Sequence, residues 1–264
     1  MDERPVSPVL RLLAAVGFLF LLAPVLIVVP LSFSSDVFMA FPPSGYSLRW
    51  YLAIGQNAKM LDAFVFSLKL AAAVTVVNIL VAVPAAYALV HLRPPGAGAI
   101  TGVLTAPLLL PTIVLGLAML IVFARAGLLA TPQGLFVAHL VVTLPYALRV
   151  IATALSTLPL PLEEAAATLG APPATVFRRV TLPLMLPGVI AAAALSFLVS
   201  FDEVVLSLFM SGPRLSTLPV ELYHHVESRA DPLVAAVSVL LVVFTLVVVV
   251  VVDRSLGLAR TFVK

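Results

Sequence analysis

The chain of 264 residues has no cysteine, one tryptophan and only 10% charged residues. The missing cysteines exclude disulfides, thiol nucleophiles and thiolate metal sites, although they do not name a compartment. The scarcity of charge excludes more. A soluble domain carries about 25% charged residues. A chain at 10%, with 62% apolar residues and a mean hydropathy of +1.19, cannot clothe itself in a hydrated surface. It reads as an integral membrane protein.

Other absences narrow the function. There is no G-x-x-x-x-G-K-[ST] loop to cradle a nucleotide phosphate. The nearest glycine cluster, Gly96, Gly98 and Gly102, lacks the lysine and the spacing, and reads as a flexible turn after Pro94-Pro95. Neither an H-E-x-x-H pair nor a nucleophile–base pair is present, so no catalytic residue or metal site is indicated and the chain is not read as an enzyme. A net charge of +3 comes without any basic run interleaved with aromatics, so nucleic acid is not a partner. Arginines held on the cytoplasmic face account for the basic balance. No internal repeat, low-complexity tract or soluble domain appears.

What is present is a set of six apolar stretches, near 9–31, 65–90, 99–123, 134–155, 186–210 and 232–252, each long enough to cross a bilayer as a helix. The first exceeds the apolar core of a signal peptide, about 7–15 residues, and has no small-residue cleavage site, so it reads as a retained span. Pro84, Pro107, Pro111 and Pro145 predict kinked helices packed within a bundle, where neighbours satisfy the freed carbonyls. The expectation is one all-α polytopic membrane domain over 1–264. Lysines and arginines divide nine to six between the two sides. The larger share, with Arg4, Arg93, Arg149, Arg178, Arg260 and Lys264, puts both termini in the cytoplasm. Segments 32–64 and 211–231 then lie outside.

One stretch on the cytoplasmic side, 161–183, is too polar and proline-broken to span. Pro161 suits a first helical turn, and Glu163 and Glu164 fall near the positive end of the helix dipole. Gly170 is placed to end that helix in the left-handed conformation. Pro172-Pro173 opens a second turn that closes with Arg178-Arg179, and Pro183 and Pro187 are expected to break the chain before the fifth span.

Within the fifth span stand Asp202 and Glu203. A charge near a bilayer centre costs about 2.5–3.5 kcal/mol on insertion scales and marks a functional hypothesis. Ser196, Ser200, Glu203 and Ser207 share one helical face, which makes Glu203 the expected lining carboxylate of a solute path, with Ser196 and Ser200 beside it. Asp202 is turned by about 100° toward leucines and is expected to pair with a neighbour. The alternative is that both acids pair with bases such as Lys69 or Arg149 and only hold the bundle together. His224-His225 diverge on any helix and read as a solvated loop pair. Trp50 and Tyr51 read as interfacial anchors.

Glu164-Ala165-Ala166, three residues, Gly170, nine residues, Val180, one residue and Leu182-Pro183 together resemble the E-A-A-x3-G-x9-I-x-L-P signature of ABC-importer permease subunits, with Val180 as the only departure. "FPPSGYSLRWY" at 41–51, "LSFLVSFDEVVLSLFMSGP" at 195–213 and "TLPVELYHHV" at 217–226 are similar to the second permease subunit of spermidine/putrescine-type importers. The resemblance implies a type I ABC-importer permease fold, with 161–183 as a coupling helix seated on a cytoplasmic ATPase. Its docking residues would be Glu163, Glu164, Ala165, Ala166, Gly170 and Arg178. It further implies two ATPase copies that bind ATP and Mg, a homologous second permease, an external binding protein and a polyamine substrate, in the inner membrane of a bacterium. The alternative is a free-standing secondary transporter or channel for a small cationic solute. The signature and the lack of an internal repeat argue against it.

Overall fold

The computed structural model describes residues 7–256, so Arg4, Arg260, Lys264 and the sides of the two termini lie outside the described residues. Helices carry the architecture. Among the described residues the only strand-like pairings are isolated bridges, Ser34 with Tyr46 and Gly212 with Leu215. Five helices are long and apolar enough to cross a membrane. They are α1 (Pro8–Ser32), α3 (Ala58–Tyr87, prolonged by a π-turn over Ala88–Leu92), α6 (Pro132–Ser156), α9 (Leu182–Phe201) and α12 (Leu233–Leu256). Shorter helices fill the intervals: α2 (Arg49–Gln56), α4 (Ala97–Thr105), α5 (Thr112–Ala126), α7 (Leu160–Thr168), α8 (Pro173–Val176), α10 (Val205–Met210) and α11 (Leu218–Ser228).

The expected third span, 99–123, is not one rod. Helical segments Ala97–Leu109 and Thr112–Ala126 meet at 103° and make a sixth crossing only as a bent pair. The residue before a proline is pushed to extended backbone, and Leu110 before Pro111 has ψ 137°. Pro107 lies in a short 3₁₀ turn, Ala106–Leu109, that tightens the end of α4. Pro84 and Pro145, by contrast, stay inside α3 and α6.

A second correction concerns Pro183 and Pro187, which do not break the chain. Helix continues from Pro173 to Phe201. A π-turn over Phe177–Thr181, closed by the Leu182 N–H on the Phe177 carbonyl, widens the coil just before Pro183. Pro183 then falls at the start of α9, directly after the π-turn, where the hydrogen-bond ladder is already shifted. Such insertions are a recognised way of admitting a helix irregularity without ending the helix.

The described residues gather into two compact units, Asp62–Glu221 with those from Val247 to Leu256, and those from Ser7 to Leu61 with Leu222–Leu246. The first of these holds two apolar cores. One is built from Leu70 and Val74 of α3, Met119 and Phe123 of α5, Leu135 and Ala138 of α6, and Leu206 and Met210 of α10. The other joins Ala82 and Ala86 of α3 to Leu148, Ile151 and Leu155 of α6 and to Met185 and Ala192 of α9. Both use α6, whose buried residues recur every three or four positions. Helices α6 and α9 run antiparallel, since His139 meets Ser200 near one end and Ala154 meets Gly188 near the other. A Cβ at Gly188 would collide with the Ala154 side chain, so the two backbones approach closely there.

In the other unit, the loop after α1 is tied to itself. Ser35 donates its N–H to the Gly45 carbonyl at 2.9 Å, and Ser47 to that of Phe33 at 2.6 Å. The Asp36 carboxylate accepts from the Ser44 hydroxyl, the Ser44 N–H and Ser34 Oγ. The Ser44 bonds lead in holding its carboxyl below the usual carboxylate range. Tyr51 is not simply an interfacial ring. Its hydroxyl meets Ser32 Oγ at 2.8 Å and its ring lies 5.1 Å from that of Phe33. Trp50 is buried, with the Arg49 guanidinium 4.6 Å over its ring. The His224-His225 pair sits on α11, not in a loop. The two diverge: His224 lies 3.7 Å from Glu227 and His225 3.0 Å from Asp231. No metal-binding cluster occurs among the described residues.

Candidate functional site

Helix α7 begins with Pro161 in its first turn, where proline suits the helix, and carries Glu163 at its positive end. It stops at Gly170, whose φ of +85° is the left-handed conformation that favours glycine. The Gly170 N–H bonds to the Ala167 carbonyl at 2.9 Å and the Ala171 N–H to that of Ala166 at 3.2 Å. That is the paired closure of a Schellman motif. The chain reverses into α8 and enters the π-turn that roots α9.

The six residues that the resemblance assigns to one docking surface do not share one environment. Glu164, Ala165, Gly170 and Arg178 are exposed, and Ala166 is half-buried. Around them Leu160, Leu162 and Leu169 are also exposed, Leu169 at 89%. Glu163 turns inward. Its Oε1 accepts a hydrogen bond from Thr181 Oγ1 at 2.7 Å and lies 3.3 Å from His91 Nε2. The two side chains are 17% and 11% exposed, so this contact is largely shielded from solvent. The ring of Tyr87 stacks on His91 at 4.9 Å, and Phe177 packs edge-on to Tyr87 at the same separation.

About 30 Å along α9 from that root, the fifth span breaks. Helix α9 ends at Phe201, Asp202 caps it, and α10 begins at Val205. Glu203 is therefore not on a continuous helical face with Ser196 and Ser200. Its Oε1 accepts the Leu206 N–H at 2.9 Å and so caps the first turn of α10. Asp202 is exposed and Glu203 half-buried. No ion pair from either to Lys69 or Arg149 occurs among the described residues. Since about 30 Å is the thickness of a bilayer's hydrocarbon core, the acids stand at the far end of this span from α7 rather than at its middle.

Ser200 and Ser207 lie on either side of the break and converge on His139 of α6. His139 Nδ1 is 2.9 Å from Ser200 Oγ, and Nε2 is 3.0 Å from Ser207 Oγ. The imidazole is 1% exposed, so both ring nitrogens are occupied out of solvent. One turn along α6, Thr143 receives the Asn78 amide from α3 at 2.5 Å. Ser196, one turn before Ser200, is fully buried and its hydroxyl has no partner among the described residues. Sequence reasoning passed over His139, although an ionisable residue inside an apolar span is itself a signal. It missed His91 for a plainer reason: that residue sits at a span end, where a polar side chain is unremarkable.

Comparison with known proteins places the chain in a family. Residues 78–259 match the family of binding-protein-dependent transport system inner membrane components. The putrescine transport system permease protein PotI of Escherichia coli (strain K12) is 33% identical over 250 residues, covering 91% of this chain and 89% of the relative. The spermidine/putrescine transport system permease protein PotC of the same strain is 31% identical over 233 residues, 88% of each. Among solved structures, a bacterial ABC transporter involved in the import of the acidic polysaccharide alginate superimposes with a TM-score of 0.68 at 17% identity, covering 93% of this chain and 94% of the other. At that identity the likeness speaks for the fold, an ABC-permease arrangement of helices. The chain belongs to the binding-protein-dependent inner membrane components, the permease subunits of ABC importers, and is a transport subunit rather than an enzyme.

Proposed function

We propose that this permease forms one half of the translocation path for a polyamine, of the putrescine and spermidine class, and is driven through α7 by a separate ATPase. The observation that carries the coupling is α7 itself. It is a short helix closed by a left-handed glycine, exposing Glu164, Ala165 and Leu169 beside a shielded base. That combination suits a small rigid knob seated in a groove of another protein. Two ATPase subunits, which bind ATP and Mg, supply the energy. A homologous permease completes the path, and an external binding protein delivers the solute. The α7 side and both termini face the cytoplasm.

The polyamine assignment rests on PotI and PotC, whose names carry putrescine and spermidine. The adjacent acids at the break between α9 and α10 agree with it, because a carboxylate lowers the cost of moving a cation over low-dielectric surroundings. A free-standing carrier has no observation in its favour. The test is purification of the tagged chain from its native membrane in mild detergent, followed by reconstitution and uptake of labelled putrescine and spermidine. ATP-dependent uptake by a complex holding an ATPase and a second permease is expected. Uptake by the chain alone would overturn the assignment to an ATPase-driven assembly. Absence of polyamine uptake by the intact complex would overturn the substrate class.

A further inference from the structure

We propose that Glu163 is a positioning residue that passes the movement of α7 into two membrane helices, and not a contact for the ATPase. Three elements meet at its carboxylate. Glu163 itself rides on α7, His91 lies in the π-turn that ends α3, and Thr181 is the last residue of the π-turn that roots α9. A single oxygen, Oε1, serves both partners, at 2.7 Å from Thr181 Oγ1 and 3.3 Å from His91 Nε2. The aromatic stack Tyr87–His91, with Phe177 set edge-on to Tyr87, binds the same two π-turns together behind it.

The junction is built to transmit. The hydrogen bond from Thr181 to the Glu163 carboxylate is charge-assisted, and in a shielded site such a bond is stronger than an exposed one and fixes geometry, while His91 Nε2 lies in close contact with the same oxygen. A π-turn leaves its helix one residue out of step and is a natural place for that helix to yield or rotate. The next residue, Glu164, is exposed and free to meet a partner, so the two acids divide the work. Displacing α7 would pull the ends of α3 and α9 together through one carboxylate.

The inference rests on the reading of α7 as an ATPase-docking helix, and its test keeps the two apart. The complete complex is purified for wild type, Glu164→Arg, Glu163→Ala, Glu163→Gln and Thr181→Val. Bound ATPase and the number of ATP hydrolysed per solute imported are measured for each. Glu163→Ala should keep its ATPase while the ATP-to-solute ratio rises about tenfold, within the usual range of coupling between sites. Glu163→Gln, which keeps an acceptor for Thr181, should be milder, and Thr181→Val should resemble it. Adding His91→Ala to Glu163→Ala should change little more, because partners in one network are not additive. Loss of the ATPase from Glu163→Ala, with Glu163→Gln also depleted, would make Glu163 a docking contact and overturn the inference. So would an unchanged ratio in Glu163→Ala, or fully additive effects with His91→Ala. A wild-type chain that retains no ATPase would instead sink the docking reading, and this inference with it.

Discussion

Glu164 and Glu203 are the carboxylates on which the proposed function leans, and each has surroundings that allow a clean substitution. Glu164 stands exposed on α7, so reversing its charge should leave the fold intact. Glu164→Arg should weaken retention of the ATPase by at least about tenfold, since like-charge juxtaposition at an interface costs several kcal/mol. Co-purified ATPase per permease is the readout. Glu203 caps Leu206 through one oxygen, which a glutamine keeps. Glu203→Gln should therefore preserve assembly and depress uptake of a cationic solute several-fold, as expected for an acid near its path. Unchanged uptake kinetics would leave Glu203 a capping residue alone. His139 is the residue whose removal should hurt folding most. His139→Leu strands the hydroxyls of Ser200 and Ser207. A cost of about 2 kcal/mol should lower the melting temperature of the detergent-solubilised chain by about 5 °C. The acids were legible in the sequence because charge stands out in an apolar run. The partnership of His139 was not, because its serines lie more than sixty positions away along the chain.

At the level of the helix, turn chemistry was more readable than continuity. Gly170 ends α7 in the left-handed conformation that its place in the motif predicts, because only local backbone sterics decide it. Gly170→Ala would force a Cβ into that conformation at about 1 kcal/mol. It should fray α7, which hydrogen exchange at Ala171 would report. Proline was a poorer guide. Pro111 bends its span and Pro183 does not, and the difference lies in the turns before them. A 3₁₀ turn and an extended Leu110 precede the first, while a π-turn prepares the helix for the second. Those turns depend on packing that no short stretch of sequence declares. The loop after α1 offers a test by acidity. Hydrogen bonds, chiefly from Ser44, depress the Asp36 carboxyl, so the folded loop binds that proton more weakly than an unfolded one. Its contribution is complete above the ordinary aspartate range and fades as the pH falls through the depressed value. Protease cleavage at 33–47 should rise only in that acid window, and Asp36→Asn should remove the dependence.

For the whole chain, composition announced a membrane protein, and apolar runs of about 20 residues made its spans helical. Length placed five of the six expected crossings, since a span of about 20 residues is imposed by the bilayer, and the sixth stands only as a bent pair. Which helices would be buried did not follow from apolarity alone, as α1 is the more apolar run, with a mean hydropathy of 3.0 against 1.9, yet α6 is the more deeply buried. The pinning of α6 to α9 has a mechanical meaning. Near one end Gly188 admits Ala154 so closely that no side chain could intervene, and near the other His139 holds Ser200. Two rods fastened at two points cannot scissor about either. They behave as a single strut, so a small tilt applied at the root of α9 arrives undiminished at its far tip. There the first interruption of the helix is the three-residue gap between Phe201 and Val205.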